Sequence, residues 1–209
     1  MMRIESVASQ PDRAGRHTVR FENGTVMRLY KQTIQDFDLY PSLELSDSDM
    51  SRLQDAAGAM SAKMRAVRIV AASNVSRKDL EKRLVHKGED PKQAKAAVQW
   101  MEEMQLVDDR RTAEQVVQKC IHKGYGIARA KQALYEKRIP KEYWDEALAD
   151  YPDQLESIVA FLENRLGVGS DPSQIRKVTE ALLRRGHSYN LIRKGLEQIK
   201  LNSEDFPEG

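Results

Sequence analysis

Positively charged residues recur at the ends of three segments that have helical patterns. The segments are KRLVHKG at residues 82–88, ALYEKRI at residues 133–139 and ALLRRGH at residues 181–187. Lysine and arginine side chains in such places can contact phosphate groups or carboxylates through charge-assisted hydrogen bonds, and they need no covalent chemistry to do so. The pattern therefore predicts electrostatic binding of an anionic partner.

The candidate binding residues lie in or beside these helix ends, except for six residues between the first and second ends that extend the set. They are Lys82, Arg83, Lys87, Arg110, Arg111, Lys119, Lys123, Arg129, Lys131, Lys137, Arg138, Lys141, Arg184 and Arg185. A cation in a last helical turn also has a purely structural explanation, because it complements the helix dipole by about 0.3–1 kcal/mol. That explanation is favoured for any single residue, whereas recurrence at three turns favours binding for the set. Few aromatic residues lie near the turns, so we expect no sequence-specific reading of bases.

Charge is distributed unevenly along the chain, although the formal net charge is only +2. Residues 61–200 hold 27 basic and 20 acidic side chains, a net charge of +7, between two acidic ends. This distribution suggests a polyanionic or acidic partner for the middle of the chain. The alternative is a helical surface that favours Lys and Arg for other reasons.

Nothing in the sequence predicts a catalytic, metal or cofactor site. Cys120 and His122 have no third ligand nearby in sequence, and residues 123–126 (KGYG) follow a helical pattern and lack the Gly-Lys-Ser/Thr ending of a phosphate loop. A single cysteine excludes a disulfide within one chain and fits a reducing compartment. No run approaches the roughly 18 apolar residues of a membrane span. We therefore expect a soluble cytoplasmic protein that is not an enzyme.

The first 45 residues predict a small β-structure. Residues 17–21 (HTVRF) and 25–30 (TVMRLY) alternate apolar and polar side chains, and Glu22-Asn23-Gly24 joins them. Asn-Gly is a strong hairpin signal because both residues tolerate positive φ. Residues 4–8 could add a third strand. Since a lone hairpin is marginal in water, this one should pack on another element.

From about Ser46 to about residue 200 the pattern is helical and repeats. Gly88, Arg138 and Gly186 align with offsets of 50 and 48, and each has a leucine four residues upstream. Apolar residues at i and i+4 on both sides of each turn indicate pairs of antiparallel helices, with a third helix before each pair. The predicted fold is mainly α: tandem three-helix repeats in an elongated array, with an N-terminal hairpin or short antiparallel sheet. We place the extension at 1–45, the repeats at 46–105, 106–152 and 153–200, and a disordered tail at 201–209.

The residues around the first repeat resemble the RecX family of bacterial recombinase regulators. The resemblance runs through Ser76-x-x-x-Leu80-x-x-x-Leu84-x-x-Lys87-Gly88, then Trp100-Met101-Glu102-Glu103, then Leu106-Val107-Asp108-Asp109-x-x-x-Ala113. It covers about residues 60–200, and its specificity lies in order, spacing and threefold repetition. Two positions depart from the family pattern: Thr112 stands where an aromatic residue is usual, and Arg138 where a glycine is usual.

The resemblance implies a curved, right-handed stack of three-helix units that lies in the helical groove of the RecA–DNA filament. Family members limit filament growth, ATP turnover and strand exchange, and have no catalytic site or cofactor. For this chain it implies the RecA filament as partner, with weak nonspecific DNA contact. Capped ends of the array predict a monomer. Two alternatives remain: a helical-repeat scaffold for an unrelated protein or peptide, and a nonspecific DNA-binding protein.

Overall fold

The structure is a computed structural model that describes residues 1–167 and 170–204, with side chains described through residue 199. The chain divides into two compact units, residues 1–107 and residues 108–209. Helices dominate both, and the strands form one sheet at the N-terminus, which confirms the predicted mainly α class. No helix among the described residues is long and apolar enough to cross a membrane.

The first unit begins with a four-stranded antiparallel sheet. Its strands are β1 (Met2–Val7), β2 (Arg16–Phe21), β3 (Val26–Tyr30) and β4 (Glu44–Leu45), in the order β3-β2-β1-β4. The predicted hairpin is β2–β3, and the third strand is β1. The turn of the β2–β3 hairpin uses positive φ only at Gly24 (+86°), while the Asn23 side chain accepts a hydrogen bond from the Thr25 backbone N–H at 3.0 Å. The turn therefore combines one glycine with a side-chain bond, rather than two left-handed residues.

A short helix and a short strand in this region were not predicted. Helix α1 (Lys31–Asp36) begins directly after β3, within the stretch that the sequence pattern assigned to strands, and buries Thr33. Strand β4 is only two residues long and pairs with β1. Elements of this length span too few residues to show a period, so tertiary packing decides them.

The long helix α2 (Asp47–Ala72) gives the sheet its packing partner. It starts with a capping box between Ser46 and Asp49. Met50 and Leu53, near its start, pack in one cluster with Ile4, Phe21 and Leu29 of the sheet, which confirms that the hairpin is not isolated. Its second half, including Ala62 and Ala66, packs in another cluster with α3 (Arg77–His86) and α4 (Pro91–Glu103).

The second unit consists of six helices and a 3₁₀ turn among the described residues. The helices are α5 (Asp109–His122), α6 (Ile127–Glu136), α7 (Trp144–Leu148), α8 (Gln154–Glu163), α9 (Pro172–Arg184) and α10 (Tyr189–Glu204), with the 3₁₀ turn at Lys141–Tyr143. One hydrophobic cluster lies among α5, α6 and α7, and another among α8, α9 and α10. The division into three repeats, at the boundaries given above, stays a prediction that these clusters support.

The three aligned turns share one backbone conformation. Gly88, Arg138 and Gly186 all have left-handed φ, at +89°, +56° and +87°. In each turn the next residue donates its N–H to the carbonyl of the leucine four residues before the left-handed position, at 3.1–3.2 Å. Those leucines, Leu84, Leu134 and Leu182, are buried. Arg138 therefore serves as the helix stop for which glycine is better suited.

Two predicted segments differ from the structure. The helix that the repeat pattern predicts after the second turn is reduced to the 3₁₀ turn and the five-residue α7. The predicted tail begins too early, because α10 continues to Glu204. No glycine or proline interrupts the sequence between Leu196 and that point, so the chain offers no local stop. Residues 205–209 lie outside the described residues.

Replacing Arg138 with glycine is expected to raise the free energy of unfolding of the second unit by about 1 kcal/mol. The left-handed conformation is strained for arginine and free for glycine, and this gain exceeds the entropy that glycine adds to the unfolded chain. Urea unfolding followed by circular dichroism measures the change. Gly88→Ala, where nothing lies within 4 Å of the added Cβ, should shift stability in the opposite direction. Lower stability of Arg138→Gly would show that the arginine side chain matters more than its backbone strain.

Candidate functional site

Arginine side chains from three elements of the second unit line one cleft. The cleft has a volume of about 360 Å³, and its lining residues are Tyr125, Arg129, Phe161, Arg165, Ala181, Arg184 and Arg185. Three of these arginines belong to the predicted set, and the structure brings them together. Arg165 and Phe161 were missed. Their i, i+4 spacing at the end of α8 is a signal that could have identified them as a contacting pair.

Phe161 supports two of the guanidinium groups. The Arg165 Cζ lies 4.5 Å and the Arg185 Cζ 4.8 Å from the centre of the Phe161 ring. Such contacts attract a cation to the face of the ring and hold it without a carboxylate. Arg185 also donates from Nη1 to the Lys123 carbonyl at 3.2 Å. The two guanidinium groups are therefore positioned while most of their N–H donors remain available.

The backbone contact beneath the cleft joins the third turn to the start of α6. The Gly126 N–H donates to the Arg185 carbonyl at 2.8 Å. A Cβ on Gly126 would collide with the backbone carbonyl of Gly186, and a Cβ on Gly186 would lie 2.5 Å from the Arg129 nitrogen. Glycine is needed at both positions because the two backbones meet without room for a side chain. This contact fixes where Arg184 and Arg185 stand relative to Arg129.

The second and third turns lie at opposite ends of α6. Arg138 follows the end of α6, whereas Gly186 packs against Arg129 near its beginning. Ten helical residues at 1.5 Å each separate them by about 15 Å. Lys131 is exposed on the helix between them. Stacking of the repeats would place all three turns along one edge of the array, and this common binding edge stays a prediction.

Several predicted residues have local partners that explain them structurally. Arg83 pairs with Asp79 at 2.9 Å and donates to the Ser73 hydroxyl at 3.3 Å. Arg110 pairs with Glu146 and, at 3.9 Å, with Glu114. Arg129 pairs with Glu136 at 3.1 Å, although it also reaches the cleft.

Most of the remaining predicted cations are exposed to solvent. Lys137 and Arg138 are half-buried. The exposed ones are Lys82, Lys87, Arg111, Lys119, Lys123, Lys131, Lys141 and Arg184. Among the described residues, no carboxylate lies within ion-pair distance of these eight. They are therefore the predicted residues best placed to meet an external anion.

Cys120 and His122, which were weighed as metal ligands, have different environments. Cys120 is buried, and burial raises the pKa of its thiol, whereas His122 is exposed. Within residues 1–167 and 170–204, no group of three His, Cys, Asp or Glu side chains is arranged to hold a metal ion. Thr112, at the position where the family pattern has an aromatic residue, is buried, and its hydroxyl donates to the Asp108 carbonyl at 2.7 Å.

His187 is buried beside the cleft, where its surroundings favour the neutral imidazole. Its Nε2 lies 3.2 Å from the Gly124 carbonyl, which identifies Nε2 as the protonated nitrogen, and Nδ1 has no hydrogen-bond partner among the described residues. Burial lowers the pKa of His187; the Gly124 carbonyl opposes this, and the charge of Arg185 lowers the pKa further. Protonation would therefore leave a buried N–H without an acceptor.

The second unit is expected to lose stability as the pH falls below about 6.5, the ordinary pKa of histidine. The pKa of His187 is lower in the folded state than in the unfolded chain, so the unfolded chain binds more protons between those two pKa values. Urea unfolding at about pH 7.5 and about pH 5.5 measures the difference. His187→Gln, which can still donate to Gly124, should reduce it. An unchanged pH dependence in this variant would assign the effect to other groups.

Comparison with known proteins identifies relatives of the chain. A family profile described as the second three-helix domain of RecX matches residues 108–148. "Regulatory protein RecX" from Xanthomonas axonopodis pv. citri is 32% identical over 132 residues, which cover 62% of this chain and 82% of that protein. The protein of the same name from Halorhodospira halophila is 29% identical over 158 residues, covering 73% of this chain and 98% of that protein. A crystal structure of regulatory protein RecX covers 93% of this chain with a TM-score of 0.65 and 19% identity, which shows a shared fold.

Proposed function

Because the chain belongs to the RecX family of regulatory proteins, we propose that it binds the RecA–DNA filament and limits its ATPase, recombinase and coprotease activities. The observation that carries the proposal is the group of arginines that the fold gathers at one cleft of the second unit. A filament of recombinase on DNA offers anions along its whole length, and exposed guanidinium and ammonium groups can bind them. The protein acts as a binding regulator in DNA repair and the SOS response, in the cytoplasm, without chemistry of its own.

The exposed cations of the two units supply the contacts in this proposal. The cleft provides one group of contacts, and the exposed lysines at the first and second turns provide others. Since these side chains belong to helix ends held by buried leucines, the scaffold positions them before binding. Binding then costs little ordering of the backbone, which favours affinity.

The test is ATP hydrolysis by RecA on single-stranded DNA with this protein titrated in. We expect inhibition that weakens as salt rises, because counterions then compete with the protein for the phosphates. Inhibition well below equimolar amounts would indicate binding at filament ends, and near-stoichiometric inhibition would indicate coating of the groove. Absence of an effect at any ratio would refute the proposal.

A helical-repeat scaffold for an unrelated peptide is the second candidate, and the exposed apolar residues favour it. Val85, Tyr135 and Leu183 occupy the same position of the three turns, three residues before the left-handed residue, and all are exposed. An apolar peptide groove would bind with little dependence on salt, unlike phosphate contacts. The ATPase titration separates the two candidates, because a scaffold for an unrelated peptide would not inhibit RecA at any salt concentration.

A further inference from the structure

The arginine cleft combines concentrated positive charge with an aromatic surface. Arg129, Arg165, Arg184 and Arg185 line it together with the rings of Tyr125 and Phe161. No carboxylate is among its lining residues, and of the four arginines Glu136 pairs with Arg129 alone. Like charges gathered this closely repel one another, so an anion that enters lowers the electrostatic free energy of the site.

The cleft is preformed rather than assembled by chance orientations of exposed side chains. Phe161 lies under the guanidinium groups of Arg165 and Arg185, and the Lys123 carbonyl accepts from Arg185. The Gly126–Arg185 backbone hydrogen bond fixes the third turn against α6. A guanidinium has five N–H donors in a planar fork, so these contacts leave donors for a ligand.

The size and lining of the cleft favour one kind of anion, a phosphate with a base attached, rather than a carboxylate. A carboxylate needs only one guanidinium fork, whereas this cleft of about 360 Å³ offers four of them and two aromatic rings. The volume lies at the lower end of the roughly 300–1,000 Å³ that small-molecule sites occupy. Unpaired bases stack on aromatic side chains and on guanidinium planes, while the bases of a duplex are already stacked inside the helix.

We propose that this cleft binds one phosphodiester of single-stranded nucleic acid together with an adjoining unstacked base. The guanidinium groups of Arg165 and Arg184 bind the phosphate oxygens. The guanidinium plane of Arg185, which the Phe161 ring supports, and the ring of Tyr125 provide the surface for the base. This assignment rests on the proposed function in one respect: the single strand that the cleft binds is the DNA within the RecA filament.

The test is direct binding of a fluorescein-labelled oligothymidylate to the full chain, measured by fluorescence anisotropy without recombinase. Arg165→Ala combined with Arg184→Ala should weaken binding about tenfold or more at low salt. The slope of log K against log salt should become shallower by about 0.7, since each phosphate of a single strand that the protein neutralises contributes about 0.7 to it and the two arginines bind one phosphate. The matched control is Arg176→Ala with Arg193→Ala, which removes the same charge from exposed positions on α9 and α10.

A second variant tests the aromatic surface without removing charge. Phe161→Leu keeps an apolar side chain in the cluster of α8, α9 and α10 but removes the ring beneath two arginines. It should weaken binding by about twofold to fivefold for each cation–π interaction that the substitution removes, with an unchanged salt slope. Circular dichroism and urea unfolding show whether each variant is folded. If one of the two variants is unfolded, the binding affinity of the other variant tests the proposal.

These measurements distinguish failure of the single-strand site from failure of the proposed RecA-binding function. If the arginine variant binds the oligonucleotide as well as the control does, the cleft is not a single-strand site and the proposal is wrong. If it keeps oligonucleotide binding but no longer inhibits ATP hydrolysis by RecA, the cleft binds an acidic protein surface, which also overturns the proposal. Equal loss of affinity for a duplex of the same length would contradict the role of an unstacked base. Loss of single-strand binding alone supports the proposal, even if RecA is not inhibited by the wild type.

Discussion

Replacing Gly126 with alanine is expected to destabilise the second unit by about 3 kcal/mol. The added Cβ would meet the carbonyl of Gly186 and lie 2.6 Å from the His187 nitrogen. Both are backbone atoms of a tight turn, so neither can move aside as a flexible side chain would. The collision must separate the third turn from α6, which breaks the hydrogen bond from Gly126 to Arg185 and disturbs the arginine cleft.

Tryptophan fluorescence can assign this loss to one unit. The two tryptophans are Trp100 in the first unit and Trp144 in the second. In a Trp100→Phe background, urea unfolding followed by Trp144 fluorescence reports on the second unit. Gly167→Ala is the matched control, because nothing lies within 4 Å of its added Cβ. A change below about 0.5 kcal/mol for Gly126→Ala, the range of an ordinary surface substitution, would show that the close backbone approach is not maintained in solution.

Removing four exposed cations is expected to raise the concentration needed for half-inhibition of the RecA ATPase by about tenfold or more. The variant combines Lys87→Ala, Lys131→Ala, Lys141→Ala and Arg184→Ala. These side chains are exposed, and no carboxylate of the described residues lies within ion-pair distance. Their removal should therefore leave stability almost unchanged and weaken only external binding. Arg185 is kept, because it holds the junction on which the fold of the second unit depends.

The control for the four-residue variant removes an equal charge from other exposed positions. It combines Lys92→Ala, Lys95→Ala, Arg176→Ala and Arg193→Ala. Long-range attraction that depends only on net charge would weaken both variants equally, whereas contacts at defined positions would weaken the first alone. Equal inhibition by the first variant and the wild type would mean that the turn cations serve only as helix ends.

The sequence alone determined the features that depend on local energetics. Serine and aspartate are residue types that favour helix N-caps, and the side chains of Ser76, Asp90 and Asp108 each accept a backbone N–H at the start of a helix. The burial of Leu84 and Leu134 followed from the i, i+4 period. These interactions join residues at most a few positions apart, so their free energy is largely independent of the rest of the fold.

The tertiary structure decided the features that depend on residues far apart in the chain. Arg165 reaches Arg185 across Phe161 only because α8 and α9 end beside each other, and helical periods do not encode this. The requirement for glycine at position 126 likewise depends on a distant part of the chain. Its counterpart 50 residues earlier, Ser76, caps its helix with a side chain, but at Gly126 the backbone of residues 185–187 occupies that space. The sequence could show that a helix begins there, whereas the need for glycine arises from a contact made some sixty residues away.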